Sequence, residues 1–145
     1  MLRIVITILL CSFCSSKLVA QLRFPVKNGY VEERRTFSAR CGGPVNEIQI
    51  EGRSKNVRAC EPGWVLSVFE VEGDKYILVK GEYFIAYGPF ARVNAKRMDS
   101  ISPGKRLGKL AVDKGERKYL DLLILKDANK KVSLDTIFPA YGRKR

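Results

Sequence analysis

Four cysteines and no histidine define the chemistry open to this chain. Without imidazole there is no histidine general base, no histidine metal ligand and no Ser-His-Asp or Cys-His nucleophile. Carboxylates stand close together at Glu32-Glu33 and at Glu70 with Glu72. Glycoside hydrolysis needs two carboxylates across a scissile bond. Neighbouring acids on a strand read instead as surface residues, and nothing in the sequence sets these pairs across a cleft. There is no glycine-rich phosphate loop and no cluster with metal-ligand spacing. The expectation is a protein that is not an enzyme and needs no cofactor or metal.

The residues that remain to do chemistry are cationic. Lys and Arg number 27 against 15 for Asp and Glu, a formal charge of +12. The excess is uneven: residues 21–102 hold 13 bases and 10 acids, and residues 103–145 hold 12 and 5. Lys105, Arg106, Lys109, Lys130 and Lys131 are the candidate polyanion-binding residues, because alternate strand residues face outward and can line one sheet face. The plain alternative is a solvated surface kept soluble by its charge.

The compartment follows from the first twenty residues. Met1-Leu2-Arg3 gives a positive start, Ile4–Phe13 is a mostly apolar run, and small residues follow. The run is too short for a membrane helix, which needs roughly 20 apolar residues. It fits a secretory signal cleaved after Ser16 or Ala20. Cleavage at residue 20 removes Arg3 and Lys17 from the +12, leaving +10, and takes Cys11 and Cys14 with it. Cys41 and Cys60 remain, and in an oxidising compartment an even pair is expected to form a disulfide. The loop closed would contribute on the order of 3 kcal/mol in the chain-entropy model.

The elements that must position these groups read as short strands separated by glycine and proline. Residues 21–30 are a turn-rich lead-in. Val31–Cys41 and Glu47–Glu51 (EIQIE) have strand character, the second with strict alternation. Arg53–Arg58 reads as loop or edge. Trp64–Val71 and Tyr76–Lys80 form a hairpin across a Gly-Asp turn. In the first of these strands Trp64, Leu66 and Val68 share one face, and Val65 and Phe69 the other. Tyr83–Tyr87 is a strand ended by Gly88-Pro89, residues 90–99 are a helical turn or an arch, and Ser100–Gly108 is loop. Lys109–Val112, Lys118–Lys126 and Lys131–Phe138 complete the set, although Tyr119, Leu122, Leu123 and Lys126 also stand at helical spacing. The chain divides into a signal (1–20), a lead-in (21–30), one β domain (31–138) and a basic tail (139–145).

Within this all-β pattern, residues 64–101 resemble a Greek-key motif of the βγ-crystallin superfamily. The matching text is Phe69-Glu70, Lys75–Tyr83 (KYILVKGEY), Tyr87, Asn94-Ala95-Lys96 and Ser100-Ile101. The resemblance implies a Greek-key β-sandwich with additional C-terminal strands. In it Trp64, Tyr76, Gly81, Tyr83 and Ser100 determine the fold: Tyr76 and Tyr83 pack the core, Gly81 takes a backbone angle closed to other residues, and the Ser100 hydroxyl bonds the hairpin. Some members bind calcium through paired Asn/Asp before a Ser/Thr-Ser step. Here Ala95 and Lys96 occupy those positions and Asp99 is the lone acid, too little charge for a calcium site.

The functional expectation is a secreted, non-catalytic structural or binding protein. It would be associated with sulfated glycans or other anionic polymers of the extracellular matrix, with nucleic acid excluded by compartment. A cationic effector acting on membrane surfaces, such as a toxin or host-defence protein, is the first alternative. The ending Gly142-Arg143-Lys144-Arg145 supplies a second, a precursor trimmed to a peptide amidated at Tyr141.

Overall fold

The computed structural model describes residues 22–38, 44–112 and 119–125, with strand backbone alone described for 33–38, 44–46 and 125. The expected signal segment, Cys41, Lys130, Lys131, the strand expected over Lys131–Phe138 and the basic tail fall outside the described residues. Among the described residues there are nine strands and no helix: β1 Tyr30–Ser38, β2 Pro44–Glu51, β3 Asn56–Arg58, β4 Gly63–Val71, β5 Asp74–Lys80, β6 Phe84–Val93, β7 Ser100–Ile101, β8 Arg106–Leu110 and β9 Tyr119–Leu125. All pairings are antiparallel, in the order β1-β2-β9-β6-β5-β4-β7, with β8 joining β6 to β3. The all-β expectation holds. The ambiguous run at 118–126 is strand β9, which fills the sheet between β2 and β6.

The inner face is built from cross-strand rows. Ile48 of β2 faces Leu122, then Tyr87, then Ile77, then Val68 across five strands. The next row runs Ile124, Ile85, Val79, Val65. Except for Val68 at the sheet edge these side chains are buried. Alternation along each strand therefore lays one apolar surface, the arrangement that fixes register when one face is covered.

What covers it comes from the bend in β6. Its first half pairs with β9 as far as Gly88↔Asp121, and its second half pairs with β8 from Phe90↔Leu110. Pro89 sits in the changeover, where its missing N–H breaks neither ladder. The Gly88-Pro89 step thus does not end the strand, and residues 90–93 are strand rather than arch. Small strands β3 and β8 bring Val57, Leu107 and Leu110 into the same buried cluster as Ile48, Ile50, Leu120 and Leu122, joined by Leu22 and Val26 of the lead-in. The stretch 100–108, read as loop, contributes β7 and the start of β8.

The expected faces of β4 and the expected core place of Tyr76 are corrected, and Trp64, named as fold-determining, lies outside the core. Trp64 is 56% exposed. A bulge between Val65 and Ser67 shifts the alternation of β4, so only Val65 points fully inward and the two predicted faces do not hold. Tyr76 lies on the outer face, stacked on Phe69 with ring centroids 5.6 Å apart and seated over Gly88. Tyr83 is buried, as expected.

Candidate functional site: a cationic sheet face

The basic residues are brought together by β3, β8 and the second half of β6. Register places Asn56, Lys109 and Arg92 in one row across the three strands, and Arg58 opposite Arg106 in the next. The intervening row, Val57, Gly108 and Val93, turns the other way, with Val57 and Gly108 buried. Arg58, Arg92 and Lys109 are exposed and Arg106 is half-buried. None of these strands contains an Asp or Glu. Like charges directly opposite on neighbouring strands are destabilising by a few tenths of a kcal/mol to about 1 kcal/mol. Here two such pairs, Arg58/Arg106 and Lys109/Arg92, stand side by side.

Glycine and backbone carbonyls hold the face in shape. A Cβ on Gly108 would lie 2.3 Å from the Arg92 carbonyl oxygen and 2.8 Å from the Phe90 ring, so β8 and β6 approach this closely only with glycine there. Arg58 donates through Nη1 to the Gly104 carbonyl at 3.0 Å, and Lys105 through Nζ to the Ser100 carbonyl at 3.1 Å. These two cations are thus oriented by neutral acceptors and keep their charge uncancelled. Gly104, at φ +79°, makes the turn that points its carbonyl this way.

Carboxylates gather elsewhere. Gln49 and Asp121 are joined on the outer face of β2 and β9, where Glu47 and Glu51 also stand. Glu70, Glu72 and Asp74 surround the β4–β5 turn, with Glu70 opposite Lys75. Asp99 accepts from the Lys96 amide at 2.8 Å and so closes its own loop. Among the described residues no group of three or more His, Cys, Asp or Glu could hold a metal ion.

Of the candidate polyanion-binding residues, Arg106 and Lys109 stand in the registered rows of this face, Lys105 precedes β8 with its ammonium on the Ser100 carbonyl, and Lys130 and Lys131 fall outside the described residues. Arg58 and Arg92 were not expected. Arg58 belongs to a basic stretch visible in the sequence, but Arg92 has no sequence signal, because only the β6–β8 register brings it beside Lys109. Ser100 contributes through its backbone, as register partner of Trp64 and acceptor for Lys105. Gly81 is required for space rather than for an unusual angle: a Cβ would meet the Pro62 carbonyl oxygen at 2.4 Å and Glu61 Oε1 at 2.6 Å, and its φ is not among the positive ones.

Beside that turn lies a buried polar group. Glu61 is 6% exposed, and its Oε1 accepts from the Tyr83 amide at 3.0 Å. Burial raises its pKa to about 7, against the lowering effect of that hydrogen bond. Next to it Cys60 is buried as a free thiol pushed up to about 12 by burial, its amide donating to the Tyr87 hydroxyl at 3.1 Å. Its expected disulfide partner, Cys41, lies outside the described residues. No helix among the described residues is long and apolar enough to cross a membrane. The chain matches no protein-family model, no curated protein and no solved structure.

Proposed function

We propose that this chain is a secreted, non-catalytic binding protein that engages sulfated glycans or comparable anionic extracellular polymers through the β3-β8-β6 face. One observation carries the reading: two registered pairs of like charge, Arg58/Arg106 and Lys109/Arg92, lie on three strands that contain no carboxylate. Such pairs destabilise the sheet on their own, and a polyanion laid across them relieves the repulsion. A repeating polymer suits this face better than a small anion, because the cations form adjoining rows along paired strands.

Secretion and a Cys41–Cys60 disulfide belong to the same proposal, supported by the apolar leader and the even cysteine pair. The intact mass before and after reduction tests both. The βγ-crystallin-like reading is supported by the KYILVKGEY text with Tyr83 in the core, and it bears on ancestry more than on this face.

Salt elution from a sulfated-glycan column tests the face. Arg58→Glu and Lys109→Glu each change the charge by two, as does Lys75→Glu on the β4–β5 hairpin. The face variants should elute at clearly lower salt than the hairpin variant. Equal shifts for all three would mean that net charge alone sets retention, and the site reading would fail.

A further inference from the structure

At one end of the cationic face, arginines from three segments converge on a turn. The lead-in runs antiparallel beside β3: the Arg23 amide donates to the Cys60 carbonyl at 2.8 Å and the Arg58 amide to the Pro25 carbonyl at 2.9 Å, with a bridge between Val26 and Val57. On the other edge of β3 the 102–105 turn is tied to Ala59, whose amide donates to the Lys105 carbonyl and whose carbonyl accepts from the Gly104 amide. The exposed Arg23 side chain crosses β3 to this turn, where its Nη1 lies 3.2 Å from the position a Cβ on Gly104 would take. Arg58 Nη1 is on the same residue, 3.0 Å from the Gly104 carbonyl oxygen. Arg106 begins β8 just after the turn and is the register partner of Arg58.

No carboxylate of these segments answers the charge. Residues 22–29, 53–60 and 100–112 contain no Asp or Glu. The acids that flank them, Glu51, Glu61 and Asp99, are engaged by the Tyr30 hydroxyl, the Tyr83 amide and the Lys96 amide. Two polar atoms are orphaned as well. Arg106 Nε is shielded from solvent without an acceptor among the described residues, and Asn56 Oδ1 is shielded without a donor. A bound ion or water is a standard reason for such groups. Asn56 and Arg58 stand two residues apart on the same side of β3, about 7 Å along the strand. The two orphans are of opposite kind, so a ligand that suits both carries an anionic oxygen and, roughly one sugar's width away, a hydroxyl.

We infer that the Gly104 turn is a seat for one sulfo group of a sulfated glycan, held between Arg23 and Arg58 and completed by Arg106, with Asn56 accepting from a hydroxyl of the same chain. The inference rests on the glycan-binding reading above and adds Arg23 and Asn56 to it. A sulfate monoester presents three terminal oxygens, one for each guanidinium, whereas a carboxylate or a phosphodiester presents two. Guanidinium forks bind such oxyanions through paired, charge-assisted hydrogen bonds. Gly104 belongs to the seat because its φ of +79° suits glycine and a side chain there would press on Arg23 Nη1.

Calorimetric titration of the full mature chain with a heparin tetrasaccharide tests the seat. Arg23→Gln should weaken binding about tenfold or more. Lys75→Gln, the same charge change on the β4–β5 hairpin, should cost no more than about twofold. Arg23→Lys keeps the charge without the fork and should stay well below the parent protein. Both Arg23 variants keep the backbone bond to Cys60 and should leave the far-ultraviolet circular dichroism unchanged. Asn56→Ala is the independent second variant and should cost about threefold. An oligogalacturonate and a thymidine oligonucleotide of matched charge should bind without dependence on Arg23. Equal losses for Arg23→Gln and Lys75→Gln overturn the seat, as do parent-like binding by Arg23→Lys or by Asn56→Ala, the same Arg23 dependence for either comparison probe, or no binding of the tetrasaccharide. In each of these cases the wider reading of the face still stands if Arg58→Glu and Lys109→Glu elute from the glycan column at lower salt than Lys75→Glu. It falls only if that difference vanishes.

Discussion

Glu61 joins two turns through one carboxylate. It lies below Gly81, where no Cβ fits, and accepts from the Tyr83 amide that begins the return strand. Its folded pKa of about 7 stands above the ordinary 4.5 because burial disfavours the charge. Between those two values the folded chain holds a proton that the unfolded chain releases, so stability falls as pH rises through that window. Urea midpoints at about pH 5 and about pH 8 should therefore differ, with the lower pH the more stable by this contribution. Glu61→Gln keeps an oxygen for the Tyr83 amide and removes the titration, so it should flatten that difference. An unchanged pH slope in the variant would remove Glu61 as its source. The carboxylate itself is plain in the sequence, but its burial is not: Glu61-Pro62-Gly63 reads as an exposed turn, and only Gly81 packed over it shows otherwise.

At the level of elements, the β4–β5 hairpin is the part most legible beforehand. Glu72 and Gly73, with φ of +53° and +90°, form a two-residue turn of the kind whose twist suits antiparallel strands. The bulge at Val65/Ser67 was not legible, since an extra residue leaves local composition unchanged and moves every later side chain to the other face. Phe69 is outside for this reason, whereas Trp64 precedes the bulge and faces out by simple alternation with the buried Val65. The small sheet was hidden for another. Asn56–Arg58 is three polar or β-branched residues with no periodicity of their own, and it becomes a strand by pairing with β8. If the Arg58/Arg106 pairing is held at the expense of stability, Arg58→Glu should raise the unfolding midpoint, by about 0.2–1 kcal/mol in free energy, while lowering retention on the glycan column. Loss of both stability and retention would instead assign Arg58 a structural role through its bond to Gly104.

For the whole molecule, the turnover at Gly88-Pro89 decides the shape. It lets β6 serve β9 and β8 in succession and folds the small cationic sheet over the main sheet's inner face, so one buried cluster serves both. A single core predicts a single transition. Near- and far-ultraviolet circular dichroism should report coincident unfolding curves. Gly108→Ala, which forces a Cβ against the Arg92 carbonyl and Phe90, should shift both together by about 1–3 kcal/mol. Separate transitions for the two probes would mean that the small sheet folds independently.

By itself the sequence determined the class of structure and the sign of the charge. β-branched and aromatic runs between glycine turns allow only short strands, and the excess of lysine and arginine does not depend on how the chain folds. The absence of histidine likewise removed whole classes of mechanism before any geometry was known. Tertiary structure decided which cations share a face, because pairing register rather than chain position sets Arg92 beside Lys109 and Arg58 beside Arg106. It also decided which apolar residues are core. Val65 and Phe69 have equal claims by composition, and the bulge between them leaves the first buried and turns the second outward.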